Sequence, residues 1–104
     1  MEVNMLPYAM VTHFIIPAMM KRKTRSGVIM VSSLGISASC GPLIATYSAT
    51  KSFDDSFARG LAYEVEDKID VLCLKPGMVE SNMSKKKAGF DTISSQDCAR
   101  TTLN

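Results

Sequence analysis

The sequence predicts an α/β fold built on a parallel sheet. Three observations carry this: two short apolar runs without alternation, Gly27–Ser32 and Ile69–Leu74; a four-residue apolar stripe in the segment between them; and helical apolar spacing ahead of the first run. The order helix, strand, helix, strand implies parallel strands joined by a right-handed crossover, the unit of an open doubly wound sheet.

Each element has its own signal. From Val3 to Lys21 the apolar residues Met5, Leu6, Met10, Val11, Phe14, Ile15 and Met19 recur at three- and four-residue steps, which is helical spacing. Pro7 suits a helix start, whereas Pro17 should bend or loosen the last turns. Lys21, Arg22, Lys23 and Arg25 suit the negative end of the helix dipole, and Ser26-Gly27 punctuates the segment. The run Gly27-Val28-Ile29-Met30-Val31-Ser32 reads as a strand buried on both faces. Ser33 then opens a loop of small residues through Gly35, Ser37, Ser39, Gly41 and Pro42, which ends where Thr46 or Ser48 could cap a helix. That helix is expected from about Tyr47 to Asp67, with Phe53, Phe57, Leu61 and Val65 on one stripe. Ile69–Leu74 reads as a second buried strand, ended at Lys75-Pro76-Gly77 because Pro76 lacks a ladder donor. A polar loop from Val79 to Ser95 follows, then a helix with Gln96 and Asp97 in its first turn.

Composition narrows the function. The chain has 104 residues, 46% hydrophobic, enough for one domain or part of one. A formal charge of +2 gives no general reason to expect nucleic acid or an anionic membrane as partner, which points to a small molecule or another chain. Cys40, Cys73 and Cys98 are scattered and form no Cys-x-x-Cys pair, so no metal site is expected and free thiols in a reducing compartment are. The apolar stretch Phe14–Met20 is far shorter than the roughly 20 residues that cross a bilayer. Glu2 and Asn4 do not fit the start of a secretory signal.

Chemistry concentrates in Tyr47-Ser48-Ala49-Thr50-Lys51, where a phenol and an ammonium stand at i and i+4 on one helix face. Lowering a phenol from its usual pKa near 10 to about 7 takes roughly 4 kcal/mol of selective phenolate stabilisation. A neighbouring cation supplies part of that, and a helix N-terminus adds about 0.3–1 kcal/mol. Such a pair alone more often reflects a surface contact, so its setting decides. Upstream, a strand delivers Ser32-Ser33 at its C-terminal end; downstream, another delivers Pro76-Gly77 at its own. In open α/β sheets that edge is where ligands bind.

In this combination the residues resemble the short-chain dehydrogenase/reductase family over nearly the whole chain. Val28–Ser33 is similar to the strand ending in the active-site serine, Tyr47 with Lys51 to the catalytic pair, and Pro76-Gly77-Met78-Val79-Glu80-Ser81 to the Pro-Gly-x-Val-x-Thr segment over the nicotinamide. Asn4, expected just inside the first helix, matches the asparagine of the catalytic tetrad. The resemblance implies that residues 1–104 form the C-terminal, catalytic half of a Rossmann-type domain. It implies Asn4, Ser33, Tyr47 and Lys51 as catalytic residues, and Tyr47, Lys51, Pro76, Gly77, Val79 and Ser81 against the cofactor. Tyr47 would protonate the carbonyl oxygen, Ser33 would hold it, Lys51 would bind the nicotinamide ribose, Asn4 would hold a relay water, and Ser81 would touch the carboxamide. The run Tyr47–Phe53, the Asn4–Pro17 segment and Pro42-Leu43 look most like the branch of microsomal 17β-hydroxysteroid dehydrogenase and very-long-chain 3-oxoacyl-CoA reductase. That branch implies NADP(H) in preference to NAD(H), an acyl-CoA or steroid substrate, an endoplasmic-reticulum location (cytoplasmic without the branch), and a homo-oligomer through the family's helices.

Three departures qualify the resemblance. Ser33 and Tyr47 lie one residue further apart than is usual in the family, read as a loop insertion because Leu34 could not donate the required hydrogen bond. Ser81 replaces threonine but keeps the hydroxyl. No Gly-x-x-x-Gly-x-Gly turn is present to receive a pyrophosphate, so the dinucleotide-binding half is expected to be missing, leaving exposed edges, marginal stability and weak cofactor binding. His13 is expected to have a structural or surface role, Lys85-Lys86-Lys87 to be a solvated run, and the eight methionines to be mostly core and helix filler, with Met78 and Met83 as candidates for a substrate channel. Two functions remain open from the sequence: a carbonyl reductase, and a noncatalytic product that pairs with a full-length relative.

Overall fold

A computed structural model describes residues 2–34 and 42–103. The elements run α1 (Leu6–Met20), β1 (Ser26–Val31), α2 (Ala45–Val65), β2 (Ile69–Leu74), β3 (Met78–Val79), β4 (Thr92–Ile93) and α3 (Ser95–Leu103). The expected loop residues Gly35, Ser37, Ser39 and Gly41, with Cys40, lie outside the described residues.

β1 and β2 pair in parallel from Ser26 opposite Ile69 to Val31 opposite Leu74, joined by the α2 crossover. The pairing runs on past both strands, through Ser32 N–H to Leu74 O (2.8 Å) and Leu34 N–H to Pro76 O (2.9 Å). Ser33 and the Pro76-Gly77 turn are thereby drawn to one mouth.

Burial explains the helix in the crossover. Along α2 the buried residues Thr50, Asp54, Ala58, Leu61 and Val65 fall at three- and four-residue steps, and with Met30 and Ile69 the last three form the core. Tyr8, Ile16, Met19 and Met20 of α1, Val28 of β1 and Val71 and Cys73 of β2 pack around it. Burying Met30, Leu61, Val65 and Ile69 contributes about 1.5–3 kcal/mol each. The inner face of α2 is therefore apolar at its C-terminal end and polar at its N-terminal end. Phe53 and Phe57 flank that face, half-buried and stacked at 5.5 Å.

Several expectations need correction. The strands are buried on one face only: Met30 is inside, whereas Ile29, Val31 and Leu72 are more than 40% exposed, because no described layer covers that face. The apolar runs mark a sheet that could be covered twice, and this segment covers it once. The second helix starts at Ala45 rather than Tyr47, and its N-cap, Ile44, makes no side-chain cap. Asn4 lies in the turn before α1, not inside it. α1 contains Pro17 and ends at Met20, close to the expected end at Lys21. Arg25 does not serve the end of α1; it clamps Asp70 through Nε and Nη2 at 2.7–2.9 Å and reaches the Glu66 carbonyl at 2.9 Å. The expected Val79–Ser95 loop contains the two-residue parallel pair β3·β4, Met78 opposite Thr92 and Val79 opposite Ile93.

Candidate active site

The C-terminal ends of β1 and β2 and the first two turns of α2 carry the chemistry-bearing residues. Tyr47 is the third helical residue after Ile44, so its backbone belongs to the positive end of α2. Its side chain is 45% exposed. Ser33 is half-buried just past β1, whereas its neighbour Ser32 is buried and donates from Oγ to the Lys51 carbonyl at 2.8 Å, tying the strand end to α2.

Lys51 crosses back over the sheet. Its Nζ donates to the Val31 carbonyl at 2.7 Å and to Asp54 Oδ2 at 3.0 Å, and sits 5.8 Å above the Tyr8 ring. Tyr8 in turn donates its hydroxyl to the same carbonyl at 2.9 Å and accepts from Val31 N–H at 3.2 Å. Among the described residues no hydrogen bond joins the Tyr47 hydroxyl to Lys51 or Ser33. The i, i+4 spacing thus puts Lys51 on the right face, but the ammonium is held by Val31 and Asp54.

Asn4 is joined to the same turn. Its Nδ2 donates to Thr50 Oγ1 at 3.0 Å, and Thr50 Oγ1 donates to the Tyr47 carbonyl at 2.7 Å, so two bonds connect Asn4 to the backbone of Tyr47. On the other strand Gly77 has no positive φ, and a Cβ there would meet Leu34 Cδ2 at 3.7 Å, an ordinary packing distance, so neither backbone nor neighbours demand glycine. Ser81 is engaged in a local turn: its Oγ accepts from Ser84 N–H at 3.1 Å and its N–H donates to Ser84 Oγ at 3.1 Å. Val79 lies in β3 opposite Ile93, half-buried.

Electrostatics single out two neighbours on α2. Burial pushes the Asp54 carboxyl above its ordinary value, opposed by the hydrogen bond and charge of Lys51. Asp55 is held below that value, first by the hydrogen bond from Lys75 at 2.9 Å and then by the charges of Lys75 and Arg59, against burial. Lys75 directly precedes Pro76, so the Asp55 pair also ties the end of β2 to α2.

Tyr8, Thr50 and Asp54, which contact the candidate residues or the end of β1, are ones that sequence reasoning missed. Asp54 at i+3 from Lys51 was a readable signal for a pair; Tyr8 has no local signal, since its contact depends on α1 lying across β1. Elsewhere, His13 is exposed and edge-on to Phe14, lining a groove between α1 and α2 that contains none of the expected site residues. Lys86 pairs with Asp91 at 3.2 Å. No cluster of three metal-ligating side chains occurs among the described residues, and no described helix is long and apolar enough to cross a membrane.

Comparison with known proteins bears on the whole arrangement. Residues 1–91 match the family model described as short chain dehydrogenase. The chain is 34% identical over 108 residues to a very-long-chain 3-oxoacyl-CoA reductase of Anas platyrhynchos, covering 98% of this chain and 33% of that protein. It is also 34% identical over 84 residues to an inactive hydroxysteroid dehydrogenase-like protein 1 of Homo sapiens, covering 80% of this chain and 25% of that one. A crystal structure of a short chain dehydrogenase from Burkholderia cenocepacia in complex with NADP superimposes with a TM-score of 0.72 at 20% identity, over 98% of this chain and 54% of that chain. That likeness establishes the fold: this chain is a part of it, spanning a quarter to a third of these two curated relatives' length.

Proposed function

Because this chain belongs to the short-chain dehydrogenase family, we propose that it carries the catalytic half of an NADP(H)-dependent carbonyl reductase acting on a 3-oxoacyl-CoA or a 17-oxosteroid. The observation that supports this most is the convergence of Ser33, Lys51 and the Pro76-Gly77 turn on one sheet mouth, with Tyr47 in the first turn of the helix that faces it. The substrate class follows the names of relatives such as the 3-oxoacyl-CoA reductase; NADP is the ligand named for the solved neighbour. An endoplasmic-reticulum location belongs to the same branch reading.

The described residues fit the nicotinamide end of such a cofactor. Tyr47, Lys51, Pro76, Gly77, Val79 and Ser81 would hold it; the 104 residues contain no Gly-rich turn for the pyrophosphate. The cofactor, when bound, supplies the hydride. Tyr47 donates the proton that the substrate oxygen acquires, and its place at the head of α2 favours the resulting phenolate. Ser33 donates a hydrogen bond to that oxygen as charge develops on it. Lys51 offers an N–H to the ribose side. Asn4 fixes the first turn of α2 through Thr50, and its part in a proton relay belongs to the same reading. In a complete protein carrying this segment, Tyr47→Phe should lower turnover about 100-fold or more while cofactor binding persists. Retained turnover would remove Tyr47 as the acid.

A second reading, a noncatalytic chain that pairs with a full-length relative, is favoured by relatives named inactive and by the apolar face of α1, where Val11 and Phe14 are exposed. Size exclusion combined with NADPH fluorescence titration separates the two: a defined hetero-oligomer without cofactor binding supports the second, and saturable cofactor binding the first.

A further inference from the structure

Residues 81–91 form an excursion that β3 and β4 close at its base, helped by Glu80 N–H donating to the Ile93 carbonyl at 2.9 Å. Every residue of it except Ser84 is exposed. Two turns shape it. Lys85 N–H donates to the Ser81 carbonyl at 3.0 Å, and Gly89 N–H to the Thr92 carbonyl at 2.9 Å. The second turn, closed by the Gly89–Thr92 bridge, has Phe90 and Asp91 at its tip. Tight turns favour Gly, Pro, Asn, Asp and Ser for backbone reasons that a phenylalanine does not share. Phe90 is 111% exposed and Met83, in the first turn, 94%, against at most 68% for the large apolar side chains of α1. These two side chains contribute nothing to the core and project into solvent from turns.

The same excursion concentrates charge. It carries Lys85, Lys86 and Lys87 against Asp91, a surplus of two that equals the formal surplus of the whole chain. Lys86 pairs with Asp91 at 3.2 Å, which neutralises that acid and draws the lysine run beside the turn of Phe90. Glu80, the acid at the base, is turned onto the loop itself, its Oε2 accepting from Ala88 N–H at 3.3 Å. Lys85 and Lys87 have no ion-pair partner among the described residues. A lysine run alone is ordinarily a solvated face. Exposed apolar tips beside unpaired lysines are the pattern of a surface that rests in a membrane interface, with apolar groups at the acyl boundary and ammonium groups among the headgroups. We propose that residues 81–91 dock on an anionic lipid bilayer, Phe90 and Met83 entering the interface while Lys85 and Lys87 meet lipid phosphate and carboxylate groups. A nucleic-acid partner would use the lysines and leave both apolar tips without a role. The proposal stands apart from the reading of Tyr47 and Lys51, so retained turnover in Tyr47→Phe would leave it as it is.

The test is co-sedimentation of the 104-residue chain with vesicles of phosphatidylcholine alone or mixed with phosphatidylserine. The chain should partition onto the mixed vesicles and lose most of that binding when salt is raised from about 0.1 M to about 0.5 M. Met83→Ser with Phe90→Ser should weaken binding about tenfold or more, and Lys85→Ala and Lys87→Ala about fivefold each. All four positions are exposed, so the fold survives these changes. The apolar face of α1 and the open sheet face are the competing surfaces, and Phe14→Asp with Leu72→Asp removes them: binding should persist in that variant. Equal binding to phosphatidylcholine alone, loop variants that bind as the parent does, or binding that vanishes with Phe14→Asp and Leu72→Asp would each overturn the proposal. Loss in the lysine variants with none in the Met83 and Phe90 variant would mark a site for soluble polyanions and overturn it as well.

Discussion

Asp54 and Asp55 are adjacent, yet their surroundings drive them apart. Burial raises Asp54 from the ordinary value of 3.8, so the stability associated with its protonated form is complete below that value and is lost as pH rises through the folded-state value. Asp55 is lowered from 3.8 by Lys75, so its contribution is present above that value and is lost as pH falls through the folded-state value. Urea midpoints measured across pH should therefore change slope in opposite ways: Asp54→Asn removes a loss on the upward side, and Asp55→Asn removes a loss on the acid side. Equal slopes for both variants would contradict the assignment. Thr50, 2% exposed, links Asn4 to Tyr47, and Thr50→Val should cost about 1–3 kcal/mol in denaturant titration by leaving the Asn4 amide without its partner. At this scale the sequence spoke through residue type and spacing. Tyr47, Lys51, Ser33 and Pro76-Gly77 could be picked out because a phenol, an ammonium, a hydroxyl and a turn occur in a workable order. The depth of Asp54 could not, since an i, i+3 spacing gives nearness along a helix and says nothing of what lies over it.

Elements were more legible where the pattern was long. The α2 stripe at Leu61 and Val65 is buried as its period requires, and β2 spans Ile69–Leu74 as its apolar run indicates. Ends were less legible: α2 begins two residues early because Ala45 and Thr46 continue its turn without a side-chain cap. Two-residue strands such as β3 and β4 contain too few positions to show any period. The one-faced burial of β1 follows from what packs on it, which its own residues do not encode. Truncating Leu61, 8% exposed, should destabilise the chain by about 2–5 kcal/mol, whereas Phe14→Ala on the outer face of α1, 68% exposed, should stay within about 0.5 kcal/mol; chemical denaturation of the two variants checks the contrast. The Arg25–Asp70 clamp is a surface pair despite its forked geometry, with side chains 53% and 67% exposed, and its removal should leave the denaturation midpoint almost unchanged.

Taken whole, the chain is expanded. Its radius of gyration is 15.1 Å, against about 13 Å for a compact domain of this length. Leu6, Met10, Val11 and Phe14 on α1, and Ile29, Val31 and Leu72 on the sheet, remain substantially exposed. Apolar surface distributed in this way favours self-association, so the sedimentation coefficient should rise with concentration, and Phe14→Asp with Leu72→Asp should suppress the rise. A coefficient independent of concentration in the parent would argue against this. Tyr8 adds a local limit. Even-numbered residues of β1 direct their amides to β2, as Ser26 and Ser32 do, so Gly27, Ile29 and Val31 direct theirs to the opposite edge. There the Tyr8 hydroxyl takes both the N–H and the carbonyl of Val31, standing in for one residue of a neighbouring strand. Deuterium should therefore enter the Val31 amide slowly and those of Gly27 and Ile29 quickly, and Tyr8→Phe should bring all three to one rate. A phenol borrowed from α1 thus sets how far along this border a foreign backbone can zip before it must evict a side chain.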